Sequence, residues 1–231
     1  MARTLGLGLF LAAYGNFAAF IAGTAVPVGW SGLPLPVVLL GLALAWARFV
    51  DHLSASELGL TPQGVFPSAR AGLLLALAAA VPSLVFLRFP PLVGQSVAYS
   101  PLAALPADAL LWRAFVWMPL DTAIPEEIAF RAVLLASLRR WLPDRAAVLA
   151  SAAVFTAWHT VVVSRTVAET NLQAEPALAL LGLVGAFIAI ACGGILFAWL
   201  RVATQHVAGS MVAHWAFNAS LLLGLAWAAR A

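Results

Sequence analysis

The sequence predicts an all-α protein, a polytopic transmembrane bundle of about seven to eight helices with a polar cavity inside the membrane. Hydrophobic residues make up 64% of its 231 residues and charged residues only 9%, which is too little polar surface for a water-soluble domain of this size. Residues 4–47 and 177–200 contain no Asp, Glu, Lys, Arg or His, and about 20 apolar residues span a bilayer. Isolated ionisable residues inside the apolar C-terminal half predict the cavity.

The first half of the chain predicts three helices. Helix 1 is expected at 4–26 and helix 2 at 34–50, because the breaker-rich segment from Pro27 to Pro36 interrupts the apolar run. Residues 51–70 are polar and rich in turn-forming residues, so we expect a connection there. Helix 3 is expected at 71–88.

A long helical pattern follows a loop that contains several prolines. Residues 90–106 include four prolines, which exclude a long helix. The pattern over 107–140 would give a helix of roughly 50 Å, longer than a bilayer core of about 30 Å. We therefore expect Pro119 and Pro125 to kink or split this helix close to Glu126.

Three further helices complete the predicted bundle, at 145–164, 176–200 and 204–229. By motif content the chain divides into residues 1–106, which form N-terminal helices without an assigned motif, and residues 107–231, which form the core that carries the site.

The charges predict a membrane location and an orientation. The net charge is +3, and all twelve basic residues are arginines. Apart from one cluster at 139–145 they are scattered singly, which argues against nucleic acid as a partner. Arg139, Arg140 and Arg145 predict a cytoplasmic loop under the positive-inside rule, whereas Glu169 and Glu175 make the next loop acidic and place it outside. We expect a multi-pass integral protein of the cell (inner) membrane.

Two adjacent carboxylates occur in an apolar helix and are expected to differ in role. Glu127 and Arg131 stand at positions i and i+4 and pair along one helix face. Glu126 points about 100° away, and its neighbour at i+4 is Phe130. A carboxylate without a nearby cation suits a general base or a proton carrier. The structural alternative is that both acids compensate Arg131 or lie among lipid headgroups.

Two histidines and an asparagine add further polar groups on two other helices. Taken alone, His159 would be interpreted as a hydrogen-bonded core residue of an apolar helix. His214 and Asn218 share one face of the last helix, and such polar pairs also join helices in membranes. The functional interpretation depends on a carboxylate, two histidines and an amide occurring together on three helices.

These groups permit peptide hydrolysis by direct attack of water. Glu126 would deprotonate a water that His159 orients, and His214 and Asn218 would donate hydrogen bonds to the oxyanion. No serine or cysteine is placed as a nucleophile within a comparable set. Zinc is the chemical alternative, because Glu126, His159 and His214 form a two-histidine, one-carboxylate set. The chain has no HExxH motif, so we expect no cofactor and keep zinc as the alternative.

Three motifs in order resemble a known family. Residues 126–131, EEIAFR, fit EExxxR; residues 155–159, FTAWH, fit FxxxH; residues 214–218, HWAFN, fit HxxxN. In this order on successive membrane helices they look like the CPBP family of intramembrane endopeptidases, which includes the type II CAAX prenyl proteases. One departure is Ala132, where glycine is common in the family, although alanine is also small.

The resemblance implies an all-helical fold with its site in a membrane cavity, and a glutamate-dependent endopeptidase. It implies two partners: a peptide or protein substrate, with or without a lipid group, and membrane lipid. Known members cleave after prenylated cysteines near C termini or are linked to bacteriocin maturation and self-immunity. The family was first called metalloprotease, which keeps a zinc-dependent mechanism as an alternative. The implied catalytic residues are Glu126, His159, His214 and Asn218, and the supporting residues are Glu127 and Arg131.

Two other classes of function remain open at the level of sequence. A non-enzymatic membrane scaffold or bacteriocin self-immunity protein would use the same fold. A transporter or proton relay would use the same intramembrane ionisable residues, but the chain shows no repeated half with matching broken helices, which is common in transporter folds.

Overall fold

The computed structural model describes residues 1–22, 34–89, 94–103 and 105–228. Within these ranges the chain is helical almost throughout and forms no β-strand, since its sole β-type pairing is an isolated bridge between Tyr99 and Thr170. The all-α prediction is therefore confirmed.

Eight longer helices occur in the described residues, joined by short helical turns. Their bounds are α1 Ala2–Ala22, α2 Pro34–Ala45 with a π-helical extension Trp46–Val50, α3 Val65–Arg88, α4 over 107–139, α5 Asp144–Trp158, α6 Thr160–Ala168, α7 Pro176–Thr204 and α8 Ala208–Ala228. The short turns are Ala55–Leu58, Ser100–Ala103 and the 3₁₀ turn Asn171–Ala174. The number of helices agrees with the seven to eight that the sequence predicts.

Several helices have the length and composition of membrane spans. Three qualify individually: α1, α3 and α7. A fourth is obtained if α5 and α6, which are bent by 49° relative to each other, form one span. Large apolar side chains point outward, including Phe66 at 85% and Phe20 at 68% exposure, and such a surface suits lipid rather than water.

Some predicted boundaries differ from the observed ones. The helix predicted from 71 begins at Val65, directly after Gly64, whose φ of 86° is left-handed and is readily adopted by glycine. The helix predicted to end at 200 continues to Thr204. The end of helix 1 after residue 22, most of the turn before α2 and Pro90–Pro91 of the following loop lie outside the described residues.

Of the predicted kink or split, the split does not occur, because α4 is helical without interruption over 107–139. Pro119 lies inside a π-helical stretch, Arg113–Ala123, and Pro125 lies in the α-helical turn Ile124–Glu127 that follows. A π-helix bonds each N–H to a carbonyl five residues earlier, which avoids the clash between a proline ring and the carbonyl four residues before it. The helix therefore passes Pro119 in a π-helical stretch without being interrupted.

The second half of α4 is the centre of the bundle. Every residue from Pro125 to Leu138 is buried, as expected for a helix that is surrounded by others. Helices α1 and α2 pack on one part of it, and α5, α7 and α8 also contact it. The two adjacent carboxylates thus lie in a fully buried segment.

The loop predicted to be cytoplasmic lies beside the short turn Ala55–Leu58 at one end of the bundle. Arg140 Nη2 lies 2.7 Å from Glu57 Oε1, and Arg201 donates from Nη2 to the Glu57 carbonyl at 2.8 Å. The backbone N–H of Ser54 and the Arg140 guanidinium hold the pKa of Glu57 at about 2. Through Glu57, these contacts place the loop at 139–145 beside the end of α7.

Helices α3 and α8 approach closely through small residues. A Cβ atom on Gly72 would lie 2.0 Å from the Gly209 carbonyl oxygen, and a Cβ atom on Gly209 would lie 2.6 Å from Ser68 Oγ. The Gly209 N–H donates to Ser68 Oγ at 2.9 Å. Small residues at such contacts let membrane helices pack backbone to backbone.

We expect Gly72→Ala to lower the free energy of unfolding by about 1–3 kcal/mol, because the added methyl forces α3 away from α8. Thermal unfolding in detergent measures the effect. Gly41→Ala in α2 is the control, since a Cβ atom there meets nothing within 4 Å. Equal melting temperatures for the two variants would contradict this account of the packing.

Candidate active site

The two adjacent carboxylates of α4 face different partners. Glu127 contacts Arg131 from its own helix and His214 from α8. Glu126 faces His159, at the junction of α5 and α6. The side chains therefore separate into two environments, as their angular separation on the helix predicts.

Glu127 is the centre of a fully buried charge cluster. Its Oε1 lies 3.2 Å from Arg131 Nη1 and 2.9 Å from His214 Nδ1. The Arg131 guanidinium carbon lies 4.0 Å from the centre of the Phe155 ring, a distance at which a cation is attracted to an aromatic face. Arg131 Nη2 also donates to the Gly194 carbonyl at 3.4 Å. Buried ions require such compensation, so Glu127 and Arg131 stabilise this part of the bundle.

Glu126 is buried but much less constrained. Its Oε2 lies 3.8 Å from His159 Nε2, which exceeds a hydrogen bond. Among the described residues this oxygen has no hydrogen-bond partner. Glu127 Oε2 also lacks a hydrogen-bond partner, so what distinguishes Glu126 is that its contact with His159 is longer than the contacts of Glu127 Oε1 with Arg131 and His214.

The ring of His159 is held in one orientation. Its Nδ1 lies 2.7 Å from the Phe155 carbonyl oxygen. Because a carbonyl only accepts hydrogen bonds, Nδ1 carries a proton. In the neutral ring Nε2 then has a lone pair, and this is the nitrogen that faces Glu126.

His214 and Asn218 lie one turn apart on α8 but differ in their partners. His214 stacks on the Phe197 ring at 5.2 Å, and its Nδ1 is committed to Glu127. The half-buried amide of Asn218 makes no hydrogen bond to any residue that the structure describes. Sequence reasoning did not predict that His214 binds Glu127. The two residues are 87 positions apart, and no local pattern connects them.

The residues proposed as zinc ligands do not form one group. Glu126 is paired with His159, and Glu127 with His214. Across the described ranges, no set of three or more His, Cys, Asp or Glu side chains is arranged to hold a metal ion. Because the two carboxylate–histidine pairs are separate, these residues do not fit the predicted zinc set.

Two other polar residues of the apolar half have structural partners. Arg113 forms an ion pair with Asp121. His206 lies just before α8, where its Nε2 donates to the Thr61 carbonyl at 2.8 Å and its Nδ1 accepts from the Ala208 N–H at 2.9 Å. His206 thus caps a helix and is not part of the site.

The arrangement defines a class of protein: an apolar helical bundle with buried carboxylate–histidine pairs that suit hydrolysis. Residues 108–220 match the family described as type II CAAX prenyl endopeptidase, Rce1-like. This segment therefore belongs to the family, as its motifs predicted, and at family level it is a CAAX-type intramembrane protease domain. Searches among curated proteins and among solved structures found no match.

We expect Glu127→Gln to lower the free energy of unfolding by about 3–5 kcal/mol, because it leaves the buried Arg131 charge without its carboxylate. Glu126→Gln, at the preceding residue, removes no short contact. Its melting temperature should be unchanged or higher, as is common when a reactive group is removed from a site. Thermal unfolding of both variants in detergent decides between them. Equal destabilisation would contradict the division of roles.

Proposed function

We propose that the protein is an intramembrane endopeptidase in which Glu126 and His159 activate water for attack on a peptide bond. The observation that best supports this proposal is the difference between the contacts of Glu126 and those of Glu127. Glu127 Oε1 contacts both Arg131 Nη1 and His214 Nδ1, at 3.2 and 2.9 Å, whereas Glu126 is buried and directed at His159 Nε2, which lies 3.8 Å from its Oε2 and beyond hydrogen-bond distance.

The proposed reaction proceeds in two proton transfers. A water molecule bound between Glu126 and His159 can hydrogen-bond to both, because 3.8 Å between Oε2 and Nε2 is a distance that one water bridges. Glu126 takes a proton from this water as the water oxygen attacks the carbonyl carbon of the peptide bond. The protonated Glu126 then gives that proton to the amide nitrogen as the C–N bond breaks. The products are a carboxylic acid and an amine.

Asn218 and His214 are proposed to stabilise the oxyanion that forms during attack. Asn218 has an amide available for donation, and preorganised amides serve this role in other hydrolases. His214 already directs Nδ1–H at Glu127, so donation from Nε2 requires a second proton on the ring. The adjacent Glu127 carboxylate compensates the resulting imidazolium charge. Glu127 then supports catalysis as well as folding.

The proposed substrate is a membrane-associated peptide or protein, with or without a lipid group, that is cleaved near its C terminus. The description of the matched family, which names CAAX prenyl substrates, supports this class. The outward apolar surface of the bundle supports a multi-pass position in the cell (inner) membrane, with the site in a cavity at membrane depth. The proposed mechanism uses no metal, and the chelator in the cleavage experiment tests this.

We expect Glu126→Gln to reduce cleavage by about 10²–10⁴-fold, because the general base is lost. Purified protein and variant are mixed with prenylated and unprenylated C-terminal peptides, with and without chelator, and the products are mapped by mass spectrometry. Glu175→Gln, an exposed glutamate directly before α7, is the matched control and should cleave normally.

Each other outcome has a definite meaning. Full activity in Glu126→Gln would overturn the glutamate mechanism. Loss of cleavage with chelator would assign the reaction to a metal such as zinc. No cleavage of any peptide by the unaltered protein would favour a scaffold or self-immunity role for the same fold. The prenylated and unprenylated peptides report whether a lipid is required.

A further inference from the structure

The helix that carries His159 is broken at that residue. Helix α5 ends at Trp158, α6 begins at Thr160, and their axes differ by 49°. His159 itself has φ −89° and ψ 5°. The sequence predicts one continuous helix through 145–164, since the segment contains neither proline nor glycine. Neither of the usual helix breakers therefore explains the break, although Thr160 Oγ1 donates to the Ala157 carbonyl at 2.9 Å within the segment.

The side chain of Asn16, from α1, occupies the break. Its Oδ1 accepts a hydrogen bond from the Val161 N–H at 2.8 Å, and its Nδ2 donates to the Ala157 carbonyl at 2.8 Å. In an unbroken α-helix these two backbone groups would bond to each other, because they are four residues apart. The amide of Asn16 thus replaces one helical hydrogen bond and holds its two ends apart, which is a recognised cause of helix bending.

Opening the helix releases the carbonyl that orients the His159 ring. The His159 N–H bonds to Thr156, three residues earlier, at 3.1 Å. In a regular helix it would bond to Phe155 instead. The Phe155 carbonyl is instead used by His159 Nδ1, at 2.7 Å. This bond fixes Nδ1 as the protonated nitrogen and leaves Nε2 directed at Glu126.

Residues near Asn16 hold α1 against both α5 and α6. A Cβ atom on Gly15 would lie 2.1 Å from the Trp158 ring, so a larger residue would push α1 away. Tyr14 stacks on the same ring at 6.0 Å. On the far side of the break, Arg165 donates to the Ala19 carbonyl at 2.8 Å.

We propose that Asn16 is a positioning residue for His159: it holds the helix open so that the ring presents Nε2 to Glu126. The inference rests on the proposed function for the role of His159, but the geometry that it explains is independent of that role. Asn16 lies outside residues 108–220, the segment that matches the family, so the match does not assign it any function.

Asn16→Ala should lower kcat by about 100-fold with KM nearly unchanged, because a displacement of about 1 Å at a catalytic group has this effect without weakening substrate binding. Asn171→Ala is the matched control. That asparagine also bridges two backbone groups, donating to the Ser96 carbonyl at 3.0 Å and accepting from the Ala98 N–H at 2.9 Å, and its loss should leave kcat unchanged. Asn16→Leu keeps the shape of the side chain and is measured in place of Asn16→Ala if that variant does not fold.

A second measurement separates failure of this proposal from failure of the proposed function. Nitrogen NMR of ring-labelled histidine reports which nitrogen of His159 carries the proton, whether or not any peptide is cleaved. We expect the Nδ1–H form of His159 in the unaltered protein and a mixture of forms in the Asn16 variant, with His206 unchanged. An unchanged His159 signal in a folded Asn16 variant would overturn the positioning role, even if Glu126→Gln abolishes cleavage.

Discussion

The structure depends on how one buried arginine is compensated. Arg131 lies in the fully buried part of α4, where an isolated charge is very costly. Glu127 supplies the opposite charge from the same helix, and Phe155 presents its ring face from α5. His214 binds the same carboxylate from α8. A single charge thus fixes the relative positions of three helices, and these helices also carry the proposed catalytic residues.

This compensation also explains why two identical side chains differ. Consecutive residues of a helix point about 100° apart, so a carboxylate next to Glu127 cannot reach the same arginine in the same way. Glu126 is directed at His159 with an oxygen that no described residue binds. One carboxylate of the pair is held by short contacts to Arg131 and His214, while the other faces His159 at 3.8 Å.

The sequence predicts those features that depend on neighbours along the chain. The apolar runs specify the helices, and the i,i+4 spacing specifies the contact of Glu127 with Arg131. Features that depend on distant partners were missed. The contact of His214 with Glu127 joins residues 87 positions apart, and the break at His159 is made by Asn16, which is 141 positions before Ala157. The prolines of α4 were predicted to kink or split it. They do not split it, and local propensity does not reveal that a π-helical stretch accommodates Pro119.

The position of Asn16 also has a consequence for the order in which the protein is made. N-terminal segments are synthesised first, so α1 is complete long before the ribosome reaches the helix that Asn16 will join. During that interval a bare amide in hydrocarbon would be costly. Asn16 Nδ2 also lies 2.8 Å from the Ala12 carbonyl, one turn earlier in α1. That bond lets the nascent helix carry its amide through the bilayer until the later backbone arrives.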